Sequence, residues 1–220
     1  MKFCYTIPML ALLFQSPLTF IVLTLVLIFS IGIHEFSHAL TADRLGDPTP
    51  RAQGRLTINP LAHIDPIGML LIIIIGFGWG KPVVYDPYNL RNPHRDSAYI
   101  ALAGPLSSLL TALVFALFVH FVPLYAPLLH IFTYAVHLNV MLAIFNLIPV
   151  YPLDGFHIVG GLLPTHSREE WMQLRSYGII ILILLIFPLF DNNSVLSLLI
   201  SPSIAFVTSL LLPVSIGGIL

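Results

Sequence analysis

The segment Ile33-His34-Glu35-Phe36-Ser37-His38 sets two imidazoles and a carboxylate within six residues. On an α-helix His34 and His38, four apart, share one face and can hold a single cation, with Glu35 beside them free to act as a base. That donor set suits zinc-dependent hydrolysis. The surroundings make the pattern informative, because the triplet sits inside an apolar run over residues 18–41. An ionisable side chain at mid-bilayer costs about 2.5 to 3.5 kcal/mol on insertion scales, so three within five residues require a compensating partner.

A hydrolytic zinc usually takes three protein ligands and a water, so two histidines leave one ligand to be found elsewhere. Asp154 is the candidate, being the only acid between Asp96 and Glu169 and lying at the far end of an apolar segment. Its alternative role is a helix stop before Gly155. An acid at a helix C-terminus opposes the macrodipole, which weighs against the stop. Pro149 and Pro152 loosen the backbone ahead of it.

The elements that carry these residues follow from composition. Of 220 residues 57% are hydrophobic and 9% charged, which places the chain in a bilayer. Apolar stretches at about 18–41, 98–121, 131–153, 177–190 and 195–212 read as spans. The stretch 67–79, with glycines at 68, 76 and 78, is too short to cross and reads as re-entrant. The expected fold is thus an all-α polytopic membrane protein of about five spanning helices, with a re-entrant segment and a short β-like loop near Gly54 to Ile58. Residues 1–220 read as one integral membrane domain without repeats or linkers. No cleavable signal is expected, since Pro8 and Pro17 break the first apolar stretch. Cys4, the single cysteine, rules out an intramolecular disulfide or a thiolate metal site. A net charge of −1 points to no nucleic-acid partner.

The paired motifs, His34-Glu35-Phe36-Ser37-His38 and Asn146-Leu147-Ile148-Pro149-Val150-Tyr151-Pro152-Leu153-Asp154-Gly155, resemble those of the site-2 protease family, the intramembrane zinc metalloproteases of peptidase family M50. The likeness is to the compact prokaryotic branch without PDZ or CBS modules. It extends to Gly46-Asp47-Pro48-Thr49, to the run from Gly54-Arg55 through Asn59-Pro60 and His63 to Asp65-Pro66, and to Ala103-Gly104-Pro105, covering about 18–164. The C-terminal pair at about 171–212 lies beyond it. The resemblance implies one zinc ion per chain on His34, His38 and Asp154, Glu35 as catalytic base, Asn146 near the substrate or oxyanion, and a transmembrane protein as substrate.

Charge supplies a topology. If 67–79 only dips into the membrane, Arg44, Arg51, Arg55, Lys81, Arg91, Arg95, Arg168 and Arg175 share one side and only Lys2 dissents, so that side is cytoplasmic. The same arrangement brings His38 and Asp154 to one face and turns the active site of a multi-pass membrane protein toward the cytoplasm. A substrate unwound there could add as a strand to the loop between the first helix and residue 98.

Two other functions fit parts of the pattern. A metal transporter would also bury His34, His38 and Asp154, but would leave Glu35 without a purpose and would normally show repeated halves; a catalytically dead scaffold would normally show a damaged motif. The remaining polar residues read as structural. His63 and Asp65 belong to turns. His94, His120, His130, His157 and His166 fall at interfaces. His137 and Asn139 suit interhelical hydrogen bonds, and Gly104 and Ser108 suit close helix packing.

Overall fold

A backbone that crosses hydrocarbon must satisfy its own N–H and C=O groups, so the long apolar runs become helices. The computed structural model describes residues 9–75, 78–123, 125–190 and 193–212. Lys2, Cys4, Pro8, Gly76 and Asp191 lie outside the described residues. The helices are α1 (Met9–Gln15), α2 (Pro17–Arg44), α3 (Thr49–Ala52), α4 (Pro66–Ile75), α5 (Pro93–Phe121), α6 (Ala126–Asn146), α7 (Asp154–Leu162), α8 (Thr165–Gln173), α9 (Arg175–Ile186) and α10 (Val195–Leu211). Among the described residues α2, α5 and α6 are long and apolar enough to cross a membrane.

The first two expected spans match α2 and α5 to within five residues at each end. The third does not: its helix runs from Ala126 to Asn146 and stops well short of residue 153. Pro149 and Pro152, which lack N–H donors and clash with a preceding turn, end it early. The last two spans are shorter than read, α9 at 12 residues and α10 at 17. At 1.5 Å per residue α9 covers only about 18 Å of a roughly 30 Å core. The helix ends at Ile186 although the apolar run continues, and Phe187 leads into a two-strand antiparallel pair, β1 (Pro188–Phe190) with β2 (Asn193–Ser194).

Helix α5 is the hub, packed against α2, α6 and α7. Its inward face carries Gly104, Ser108, Ala112 and Ala116 at intervals of four, all buried, a stripe that lets neighbouring helices approach closely over that stretch. Ala112, Ala116 and Val119 meet Val136 and Val140 of α6 and Ile204 of α10 in the main apolar core.

Between α2 and α5 the chain is organised by single side chains rather than ladders. The expected strand at Gly54 to Ile58 is absent; these residues are turn and irregular backbone. The reason is Arg55, which turns inward to backbone carbonyls instead of presenting an edge. After α4 the chain folds back on its own start: the Lys81 N–H donates to the His63 carbonyl at 2.8 Å. A Cβ on Gly68 would stand 2.0 Å from the Trp79 carbonyl oxygen, and one on Gly78 would stand 2.0 Å from that of Gly68. Only glycines let the two limbs touch there.

Asp47 closes this region. Its carboxylate accepts from the Thr49 N–H (3.1 Å) and hydroxyl (2.6 Å), the Asn89 amide (2.8 Å) and the Asp86 N–H (2.7 Å). Burial alone would raise this carboxyl, but the four donors outweigh it and hold the group below its ordinary value. A depressed value gives stability that is present above the unfolded-state value and is lost as pH falls through the folded one. Asp47→Ala is therefore expected to cost on the order of 2 kcal/mol at neutral pH, as charged hydrogen bonds typically do. Thermal melts in detergent should show the gap between variant and wild type narrowing as pH drops through the carboxylate range. A gap that stays constant with pH would contradict this.

Candidate metal centre

One turn apart on α2, His34 and His38 hold their ring centroids 4.8 Å apart and nearly perpendicular, at 82°. Both are buried, at 4% and 7% exposure. Each ring is fixed through Nδ1. The Nδ1–H of His38 donates to the Ile100 carbonyl at 2.7 Å, and Nδ1 of His34 lies 3.0 Å from the Ser108 hydroxyl. Both partners belong to α5, and Pro105 loosens the turn from which the Ile100 carbonyl is offered.

With Nδ1 protonated, Nε2 of His38 presents a lone pair, and it points at a carboxylate. Asp154 places Oδ2 3.1 Å from His34 Nε2 and Oδ1 3.4 Å from His38 Nε2. Where Nε2 carries no proton, imidazole nitrogen and carboxylate oxygen are both acceptors, and a cation between them would satisfy both; a proton on Nε2 serves the same contact as a hydrogen bond. The three donors lie within 4.8 Å of one another. Ligand atoms about 2.0 to 2.2 Å from a tetrahedral zinc stand roughly 3.4 Å apart, so the two short separations already match. Gly104 backs the site: a Cβ there would lie 2.3 Å from His38 Nε2 and 2.6 Å from His34 Nε2.

Asp154 reaches this position differently from the sequence reading, in which it ends an apolar helix. It is the first residue of α7, following the turn that the prolines impose. A carboxylate in a first helical turn is favoured by the dipole, so Asp154 is no C-terminal stop and is stable where it stands.

Glu35 is half-buried, and its Oε2 accepts the Val83 N–H at 3.1 Å. Asn146, at the end of α6, gives an amide N–H to the Leu142 carbonyl at 2.9 Å. His63 and Asp65 are structural as expected. His63 is buried against the Thr57 carbonyl (2.9 Å), and Asp65 accepts from the N–H groups of Ile67 (2.9 Å) and Gly68 (2.8 Å). Asn139 makes the interhelical bond expected of it, to Ser30 of α2 at 2.9 Å, while Nδ1 of His137 has no partner among the described residues. His157 packs edge-on against Phe156 and Tyr151. The sequence reading missed Ile100, Ser108 and the contact role of Gly104. The last two sit on the small-residue stripe, where packing and ring support look alike.

Fold and site together define a helical membrane protein built around a His-His-Asp donor set. A family model described as Peptidase family M50 matches residues 124–189, a stretch that includes Asn146 and Asp154. Relatives named "Putative zinc metalloprotease" match as well. YwhC of Bacillus subtilis is 35% identical over 184 residues, covering 79% of this chain and 83% of its own. Rip2 of Mycolicibacterium smegmatis is 27% identical over 164 residues, covering 71% of this chain and 63% of its own. No solved structure matches. The chain belongs to peptidase family M50.

The ring supports can be tested by metal affinity. Ser108→Ala removes the partner of His34 Nδ1 and is expected to weaken zinc binding about 10-fold or more, the range found when such outer partners are lost. Gly104→Ala, which forces a methyl group against both Nε2 atoms, should weaken it further. Chelator competition on detergent-purified protein reads both values. Wild-type affinity in Gly104→Ala would mean that the rings have room to move.

Proposed function

We propose that His34, His38 and Asp154 hold one zinc ion per chain and that the protein is an intramembrane zinc endopeptidase acting on membrane-spanning proteins. The observation that carries this reading is the convergence of two Nε2 atoms and a carboxylate in a buried site, with both Nδ1 atoms anchored. Membership of a peptidase family favours it over the metal-transport alternative.

Zinc bound there supplies a Lewis acid and lets water ionise near pH 7. Glu35 takes the proton of the attacking water and returns it to the leaving amine nitrogen, while the Val83 N–H steadies its second oxygen. The Ile100 carbonyl keeps His38 in the tautomer with a free Nε2. Asn146 spends one amide N–H on Leu142 and has a second to offer a developing oxyanion. A transmembrane helix must unwind to present its carbonyls. The irregular backbone at 78–86, which runs past Glu35, is the natural place for it to lie by strand addition.

The proposed topology has α4 and its return entering and leaving on one face, and the Lys81-to-His63 bond and the Gly68–Gly78 contact support it. The basic residues make that face cytoplasmic. The catalytic core is residues 18–164 of a single membrane domain, and α10 of the C-terminal pair packs onto it through Ile204.

Co-expression with a panel of tagged single-span membrane proteins tests the activity. Glu35→Gln should lower cleavage by about 10² to 10⁴, the usual worth of a general base, while zinc stays near one per chain. Cleavage at the wild-type rate would remove Glu35 from the mechanism. A His34→Ala/His38→Ala double variant that keeps its zinc would remove the ligand assignment. Single cysteines at Thr49 and Tyr88, in a Cys4→Ser background, are expected to react with an impermeant reagent from the same side of sealed vesicles. Labelling from opposite sides would exclude the re-entrant path.

A further inference from the structure

Arg55 is 4% exposed. A buried guanidinium is costly unless its donors are met. Here they are met by backbone: Nη1 donates to the Ala62 carbonyl, and Nη2 donates to the carbonyls of Lys81 and, at 2.9 Å, Pro82. Its own N–H is tied to the Pro50 carbonyl at 2.8 Å. Two limbs of the chain, one before α4 and one after it, are thus gathered on one planar cation. The next residue along the second limb is Val83, whose N–H holds Glu35 Oε2 at 3.1 Å. Gly80, just before, lies so close to α2 that a Cβ would stand 2.7 Å from Ile31 Cγ2 and 3.8 Å from Glu35 Oε1. Burial lowers the Arg55 guanidinium from its ordinary value and the Glu35 charge opposes that, as expected of electrostatic neighbours.

We infer that Arg55 is a positioning residue for Glu35: by fixing the Lys81 and Pro82 carbonyls it holds the Val83 N–H on the carboxylate. The inference rests on the reading of Glu35 as the base. A glutamate has three side-chain torsions, and a displacement of about 1 Å from productive geometry can cost on the order of 100-fold in rate. Lysine cannot replace arginine here, because a point charge on a flexible stem does not bridge three carbonyls with a rigid fork. The arrangement also explains why this basic residue lies inside a loop region where solvent was available to it.

The test uses the full-length protein in detergent. In Arg55→Lys, hydrogen–deuterium exchange of the peptide covering residues 80–85 should rise at least tenfold while zinc content stays near one per chain. With a tagged single-span protein that the wild type cleaves and Glu35→Gln does not, kcat should fall about 10- to 100-fold with KM within threefold. Val83→Pro deletes the N–H while leaving Arg55 in place, and should lower kcat by a similar factor. Because both changes act through one hydrogen bond, the double variant should be no slower than the slower single variant. Unchanged exchange in Arg55→Lys would overturn the proposal, as would losses that multiply in the double variant. If Arg55→Lys and Arg55→Gln both lose zinc and a cooperative melt, Arg55 serves the fold at large and the proposal fails. Should the wild type cleave nothing, Glu35 loses its role as base, while exchange still decides whether Arg55 holds Val83.

Discussion

Two imidazole nitrogens and a carboxylate face one another at 3.1 and 3.4 Å inside an apolar helix bundle, and most of the surrounding architecture follows from keeping them there. Little solvent reaches the two rings, so each is held from behind through Nδ1 and meets the Asp154 carboxylate in front. Helix α5 does the first task with a hydroxyl and a carbonyl. It has room to do so because Gly104 lets its backbone lie flat against the rings. The proline-broken turn after α6 does the second by starting a new helix at Asp154, where the helix dipole favours the charge.

Outside the membrane-crossing helices, order comes from a few polar side chains that each gather several backbone groups. Asp47 joins the exit of α2 to the approach of α5, Asp65 starts α4, and Arg55 binds both limbs around it. A ladder would specify such a region through many equal bonds. Here the specification is concentrated, and one side-chain change can release a whole limb.

Much of this was legible in the sequence. His34, His38 and Asp154 do converge, and α2 and α5 lie where hydropathy places them, because the cost of charge in hydrocarbon leaves few alternatives. The end of the third span was misread because Leu147, Ile148, Val150 and Leu153 continue an apolar run that the two prolines have already broken. The tertiary partners of the rings were invisible for a different reason. Ile100 contributes only a carbonyl, and a serine on a small-residue stripe carries the same signal whether it packs or supports a ring. Arg55 counted only as one basic residue of the cytoplasmic side, since nothing local reveals that the Ala62, Lys81 and Pro82 carbonyls converge on it.

The separation of 120 residues between His34 and Asp154 has a consequence for the order in which the molecule is made. A ribosome adding about 5 to 20 residues per second needs roughly 6 to 24 s to travel from one to the other. During that interval the nascent chain holds two imidazoles but lacks the carboxylate that completes the cluster. The half-site offers two nitrogens, too few for the three-ligand pattern of a hydrolytic zinc. Completion of the cluster therefore waits until about two-thirds of the chain has been synthesised.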